Sequence, residues 1–283
     1  MFKKVLAAIL CVATMCSVIG CTNENDDLKE SGVTYVENDP TKQVSGNVGE
    51  VKLEKGDKYA VISVKEYGDI TIKLFPDVAP KGVEVFEKLV GEGFFNGKIF
   101  HRVMADFMAQ AGAADEDSNY EQFTIETNHN MRHFYGAFCY ANALGKNSTQ
   151  FYIVNNKKSQ DVSQYSTSVM DNNIKICEDY AKQFESDKTS AQYRYYKNQA
   201  NYYRNMKASI QNYTDEIREK YKEVGGTPSL DGNYTVFGQT VDGFDVIDKI
   251  AAVELEINDK MGGKEMSKPV KDIVIDNIEI KTY

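Results

Sequence analysis

Cysteine and histidine are scarce in this chain, and each shortage narrows its chemistry. Of five cysteines in 283 residues, only Cys139 and Cys177 lie beyond Cys21, and they are far apart in sequence. Two such cysteines build neither a disulfide framework nor a thiolate metal site, and Cys139 is expected to be a small buried hydrophobe. Only three histidines, His101, His129 and His133, could serve a hydrolase as base, and no GxSxG motif supplies a nucleophile elbow. His129 and His133 stand four apart, yet HNMRH lacks the glutamate of HExxH, so no metal is expected. Alternating βαβ units, usual in lipoproteins that bind small solutes, are missing too. Positive charge is also in deficit, the formal net charge being −9. Nucleic acid is therefore not an expected partner, because lysines and arginines must neutralise a phosphate backbone.

One long apolar run is present, from Val5 to Val18. Lys3 and Lys4 precede it, and Val18-Ile19-Gly20 lead from it into Cys21. A basic start, a short apolar stretch and a small residue before the cut describe a secretory signal. The run is too short for a membrane span, which needs about 20 apolar residues. Val-Ile-Gly-Cys resembles the bacterial lipobox, whose cysteine carries diacylglycerol and becomes the new N-terminus. The expectation is a lipoprotein signal peptide over 1–20, lipidation at Cys21, and an extracytoplasmic protein anchored to a bacterial membrane. Residues 21–57 are polar and acidic, so they are read as a flexible tether that buries too little apolar surface to offset its ordering entropy.

Beyond the tether the hydrophobic period alternates between two and 3.6. Strand patterns occupy Tyr59–Val64, Ile70–Leu74, Lys98–Val103, Phe107–Gln110, Ala137–Ala141, Phe151–Val154, Thr235–Thr240 and Val270–Ile280. Pro80 opens an amphipathic helix that ends at Gly91 or Gly93, and Val241–Ala251 reads as a second helix. Many short strands with two helices suit a closed antiparallel barrel, which leaves no edge exposed. Between its parts, residues 155–224 contain no glycine or proline and carry half of the chain's eighteen tyrosines. Absence of both breakers argues for helix. Tyr180 and Phe184, and later Tyr195, Tyr202, Met206, Ile210, Tyr213, Ile217 and Tyr221, recur within each group at spacings of three, four or seven, which gives one apolar stripe. A helical hairpin is expected, broken near Ser186–Ser190 and closed by Gly225-Gly226. Its tyrosines either pack on one another or grip unfolded clients, as rigid amphipathic aromatics can.

Function concentrates in IFHRVMADFMAQAG, Ile99 to Gly112. On a strand, Arg102 would share a face with Phe100, and His101 would share the other with Val103. Together with GAFCYANALGKNSTQFYIV, Gly136 to Val154, and LDGNYTVFGQTVDGFDVIDKI, Leu230 to Ile250, this stretch resembles the cyclophilin family of peptidyl-prolyl isomerases. FHRV with FMAQAG is similar to FHR…FMxQGG, TQFYI to SQFFI, and LDGNYTVFG to LDGKHxVFG, in the same order. The resemblance covers Lys58 to Val154 and Thr227 to Tyr283.

It implies a mainly β fold, a closed eight-stranded antiparallel barrel capped by two helices. The barrel would be made of 58–154 and 227–283, with 155–226 as a helical insertion. It also implies rotation of Xaa-Pro bonds in unfolded or exported polypeptides, with no cofactor. Arg102, Phe107, Gln110 and Asn142 take the catalytic positions. Met108, Ala141, Gln150, Tyr152, Leu230 and Tyr234 take the substrate-binding ones. His101, on the other face, is read as structural. Several positions depart from the pattern: Ser229 where an aromatic is commonest, Tyr234 for histidine, Tyr152 for phenylalanine, Ala105-Asp106 for Pro-Gly and Ala111 for glycine. The competing expectation is a binding module or holdase of the same fold, in which the insertion holds clients and turnover is weak.

Overall fold

A computed structural model describes residues 33–35, 46–114, 120–143 and 145–283. The signal segment and Cys21 lie outside the described residues. Short alternating strands build one ten-stranded sheet. Its elements are β1 (Val33–Tyr35), β2 (Lys58–Val64), β3 (Gly68–Leu74), β4 (Arg102–Met104), β5 (Met108–Ala111), β6 (Phe123–Thr127), β7 (Ala137–Ala143), β8 (Lys146–Val154), β9 (Val236–Asp242) and β12 (Ile275–Thr282). The main path runs β1-β6-β8-β7-β9-β3-β2-β12, and β5 joins β8 to β4. All ladders are antiparallel except β1 on β6.

The sheet curls but does not close as the expected eight-stranded barrel. Between β4 and β12 there is no ladder, only the Ile99–Val274 bridge and backbone bonds such as Phe100 N to Ile273 O, 3.0 Å. The bulge between Ile275 and Asn277 shifts the register of β12 on β2 near this seam.

Period two sorts the sheet's faces. Val103, Ala109, Ala111, Phe138, Tyr140, Phe151, Ile153 and Phe237 enter the main core. Their neighbours Met108, Ala137, Cys139, Tyr152, Val154 and Val236 form a second cluster on the outer face. Helix α1 (Pro80–Gly91) adds Val83, Phe86 and Leu89 to the main core. The Phe86 ring centroid lies 5.2 Å from Phe138 and 5.4 Å from both Phe95 and Phe237. Full burial of one such side chain contributes about 2 to 3 kcal/mol. Pro80 sits where a missing N–H costs nothing. Glu126 accepts from the next two amides, Lys81 N at 3.0 Å and Gly82 N at 2.8 Å, so an anion meets the positive helix end.

The breaker-free segment forms three helices rather than two. They are α2 (Thr167–Lys182), α3 (Ala191–Ile210) and α4 (Asp215–Val224), with Ser166, Ser190 and Thr214 as N-caps. Thr214 accepts from Ile217 N at 3.3 Å and starts a new helix after Tyr213. Met170, Cys177, Ala200, Tyr203, Met206, Ile210, Tyr213, Ile217 and Tyr221 share a third core with Phe134 of the β6–β7 connection. Tyr180 is exposed at the far end and stacks on Tyr196, with ring centroids 5.0 Å apart. Helix α5 (Phe244–Ala251) matches the second expected helix, and β10 (Leu255–Asn258) pairs with β11 (Glu265–Pro269) in a separate ribbon.

The segment read as a tether is docked over its last part. Asn47 is fully buried, donates to Arg132 O at 2.7 Å and Gln239 Oε1 at 3.0 Å, and accepts from Arg132 N at 2.8 Å. Tyr283 accepts from Gly56 N and donates to Asp57 O. Hydrogen bonds hold this stretch together with Val48 and Val51, which pack against the third and second clusters. Among the described residues no helix is long and apolar enough to cross a membrane.

Candidate active site

Register places the candidate residues in one row across the outer face. Arg102 pairs with Gln110, Gln110 with Tyr152, Tyr152 with Cys139, and Cys139 with Val236. Directly opposed side chains stand about 5 Å apart at Cβ, so five strands, β4, β5, β8, β7 and β9, deliver this row. The alternation expected from Phe100 does not hold. The strand begins only at Arg102, and both Phe100 and Val103 enter the main core. Arg102 thus faces away from Phe100.

Above the row lies a cleft of about 250 Å³ lined by Arg102, Gln110, Ala141, Asn142, Gln150, Tyr152 and Tyr234, among others. These seven came from the sequence; Met261 and Ala114 in its wall did not. Met108 and Leu230 are buried in the second cluster behind the cleft, and Phe107 packs against that cluster half-buried. None of the three lines the cleft itself. Asn142 does, but its side-chain amide is spent on Asn233 O at 3.0 Å, which ties β7 to the turn carrying Tyr234. Tyr234 is also a wall of a neighbouring cleft of about 320 Å³ between the 127–133 loop and α3.

The guanidinium of Arg102 is almost fully buried and fully oriented. Nε donates to Glu265 Oε1 at 2.7 Å and NH2 to Glu265 Oε2 at 2.8 Å. NH2 also reaches Met104 Sδ at 3.3 Å, and NH1 reaches Gln110 Oε1 at 3.4 Å. Gln110 in turn donates through Nε2 to Gln150 Oε1 at 2.7 Å. The chain of donors fixes which end of the Gln110 amide faces the arginine. Burial alone would raise the Glu265 carboxyl, but the Arg102 and Ser267 hydrogen bonds outweigh it and hold it below the usual carboxylate range. Sequence reading missed Glu265, which lies 163 residues from Arg102. No local pattern could have signalled it.

A second buried network lies under Tyr152. Asp231, with no exposed side chain, accepts from His133 N at 3.0 Å, His133 Nδ1 at 2.7 Å, Tyr213 OH at 2.5 Å and Tyr221 OH at 2.7 Å. A carboxylate can only accept, so Nδ1 carries a proton, and Nε2 lies within hydrogen-bond distance of Tyr152 OH at 3.0 Å. Burial pushes Asp231 up, yet the His133, Arg132 and Tyr213 contributions together leave its carboxyl lowered. The hydroxyl that distinguishes Tyr152 from phenylalanine is thereby satisfied. Tyr202 of α3 reaches the same region, packing against the second cluster and donating to Ser229 O. His133 and Asp231 were missed as site-supporting residues, although Asp231 stands in the LDG motif. Asp106 takes a left-handed conformation, φ 58°, at the β4–β5 turn. Aspartate is among the few residues that tolerate it, which explains how the turn forms without Pro-Gly.

His101 sits under this site, with a buried Nδ1 that has no hydrogen-bond partner. Burial, reinforced by the Arg102 charge, pushes its imidazole down to about 4 from the ordinary 6.5. A depressed base binds its proton later in the fold than in the unfolded chain. Its penalty is absent above pH 6.5, grows as pH falls, and is complete below about 4. The expected loss is about 2 to 3 kcal/mol of stability across that window. Urea unfolding at pH 7 and pH 4.5 should show it, and His101→Asn should flatten the difference. Equal pH dependence in both proteins would rule His101 out as the source.

The sequence profile of cyclophilin type peptidyl-prolyl cis-trans isomerase/CLD matches residues 59–280. A Staphylococcus saprophyticus protein provisionally named a peptidyl-prolyl cis-trans isomerase is 32% identical over 232 residues, covering 80% of this chain and 93% of that protein. A similarly named Staphylococcus aureus protein is 30% identical over 239 residues, covering 81% and 95%. A crystal structure of a Cryptosporidium parvum cyclophilin type isomerase, determined in the presence of the dipeptide Ala-Pro, superposes with TM-score 0.49 at 18% identity, covering 80% of this chain and 99% of that one. With its profile match running from β2 to β12, this chain belongs to the cyclophilin-type peptidyl-prolyl cis-trans isomerase family and is an isomerase of that class.

Proposed function

We propose that this chain rotates Xaa-Pro bonds of exported polypeptides outside the cytoplasm, tethered to a bacterial membrane by lipid on Cys21, with Arg102 as the principal catalytic group. The observation that carries the catalytic part is the Arg102 guanidinium, buried at the cleft wall, with Nε and NH2 bound to Glu265 and Met104, which do not line the cleft, and NH1 on Gln110, which does. Rotation about the amide must cross about 18 to 20 kcal/mol of lost resonance. As conjugation breaks, the prolyl nitrogen becomes pyramidal and gains a localised lone pair. A fixed donor at that nitrogen stabilises the twisted state more than the planar one, which is what accelerates the step. No covalent intermediate is required. Tyr152 and Tyr234 offer the pyrrolidine ring its seat in the cleft, backed by the buried cluster that contains Met108 and Leu230 and against which Phe107 packs. Gln110 and Gln150 hold the arginine and present amide groups to the peptide backbone.

For the holdase alternative, Tyr203, Tyr213 and Tyr221 are spent in the insertion's own core, which leaves Tyr180 as its exposed tyrosine and Tyr165, Tyr193, Tyr195, Tyr196 and Tyr202 half-buried. The anchoring part rests on Lys3, Lys4, the apolar run and the Val-Ile-Gly-Cys sequence.

The test is cis-trans exchange of a short Ala-Pro peptide followed by NMR, with the protein lacking residues 1–21, alongside metabolic palmitate labelling of the full chain and its Cys21→Ser variant in a bacterial host. Catalysed exchange and label lost only in the variant support the reading. Absence of exchange defeats the catalytic part, and labelling that persists in Cys21→Ser defeats the anchor.

A further inference from the structure

We propose that Glu265 is a positioning residue for catalysis, holding the plane of the Arg102 guanidinium so that its NH1 edge faces the cleft; this rests on the catalytic role given to Arg102 above. Both carboxylate oxygens are used in a parallel fork, Oε1 on Nε at 2.7 Å and Oε2 on NH2 at 2.8 Å. Such a fork fixes orientation as well as distance. The side chains are 5% and 11% exposed, so water does not compete for the contact. With Met104 Sδ on NH2 and Gln110 Oε1 on NH1, the bonds present account for four of the five guanidinium hydrogens. The fifth, on NH1, remains for the substrate.

The carboxylate is itself held by a built support. Glu265 opens β11, one strand of the β10–β11 ribbon, which is separate from the main sheet. Asn258 of β10 donates to His101 O at 3.3 Å and to Ser267 Oγ at 3.2 Å, so the ribbon is pinned to the residue preceding Arg102. Asn258 and Ser267 are both buried. Met261, in the turn that joins the two strands, reaches the cleft wall. The ribbon therefore serves the site from outside the sheet that carries it. A guanidinium on a flexible stem would otherwise lose the geometry that makes a donor effective, and misplacement by about 1 Å can cost about 100-fold.

The experiment compares the protein lacking residues 1–21 with its Glu265→Ala and Glu265→Gln variants. Steady-state isomerisation of a short Xaa-Pro peptide gives kcat and KM, and ¹⁵N NMR follows hydrogen exchange at Arg102 Nε. Glu265→Ala is expected to lower kcat about tenfold with KM within about twofold, and to speed Nε exchange markedly. Glu265→Gln keeps the shape and one acceptor, so it should fall between, and it serves where the alanine variant folds poorly. Fast Nε exchange with kcat unchanged in both variants overturns the proposal, since the arginine then works unheld. A raised kcat overturns it too, because the carboxylate is then a restraint. An inactive parent protein defeats the catalytic reading itself, a separate result from either.

Discussion

Arg102→Ala should lower kcat/KM for a short Xaa-Pro peptide by about 100-fold or more. Removing one preorganised donor to a developing charge typically costs a factor of about 100 to 1,000, and 100-fold corresponds to about 2.7 kcal/mol at the transition state. The loss should fall mainly on kcat, because the cleft's apolar wall of Tyr152 and Tyr234 remains to bind the ring. The substitution also strands Glu265, whose fork at 2.7 and 2.8 Å would have no partner. Leaving a largely desolvated charge unpaired destabilises the fold, so activity must be separated from folding. The double variant Arg102→Ala/Glu265→Gln removes the orphan charge and should restore thermal stability without restoring turnover. If Arg102→Ala stays within about threefold of the parent while folded, the arginine is not the catalyst.

The largest stability effect is expected at Asp231. Four hydrogen bonds converge on its carboxylate, from His133 N, His133 Nδ1, Tyr213 OH and Tyr221 OH, with Arg132 Nε 3.9 Å away. Asp231→Ala leaves a histidine and two phenols buried without that acceptor and Arg132 without its neighbouring charge, and removing one member of a buried charged network costs about 3 to 5 kcal/mol. That is a large share of the 5 to 15 kcal/mol typical of a folded chain. Because Tyr213 precedes α4 and Tyr221 lies within it, while Asp231 belongs to the turn before β9, the loss should loosen the helices first. Limited trypsin digestion should then cut within 155–226 in the variant and spare the parent. Asp231→Asn, which keeps the shape and one acceptor, should cost less. The folded carboxyl is lowered, so its contribution is present above the unfolded carboxylate range near pH 4 and disappears as pH falls through the folded value. A denaturation midpoint for Asp231→Ala equal to the parent's would sink this account.

Much of the scaffold is legible in the chain because its signals are local. Pro80 with Val83, Phe86 and Leu89 announces α1, and the structure begins the helix at Pro80 and ends it at Gly91. The absence of glycine and proline over 155–224 announces helix, as found. The third helix escaped because Tyr213 continues the apolar spacing across the break, and only the Thr214 cap interrupts it. Strands β6, β10 and β11 escaped for a different reason. Their burial depends on what packs against them, and Ile257 and Met266 are exposed on the ribbon.

The sequence by itself determined which residue types are available to the cleft. Arg102, Gln110, Gln150, Tyr152 and Tyr234 are recognisable because FHRV, FMAQAG, TQFYI and LDGNYTVFG resemble the cyclophilin family's motifs. Tertiary structure alone decided how they act together. Inter-strand register set Arg102, Gln110 and Tyr152 in one row. Chain closure brought Glu265 onto Arg102 across 163 positions, and Asp231 onto His133 across 98. Long-range ion pairs have no sequence period, because their partners are selected by where the folded surface meets itself. The burial that strengthens such pairs exists only once the core has closed.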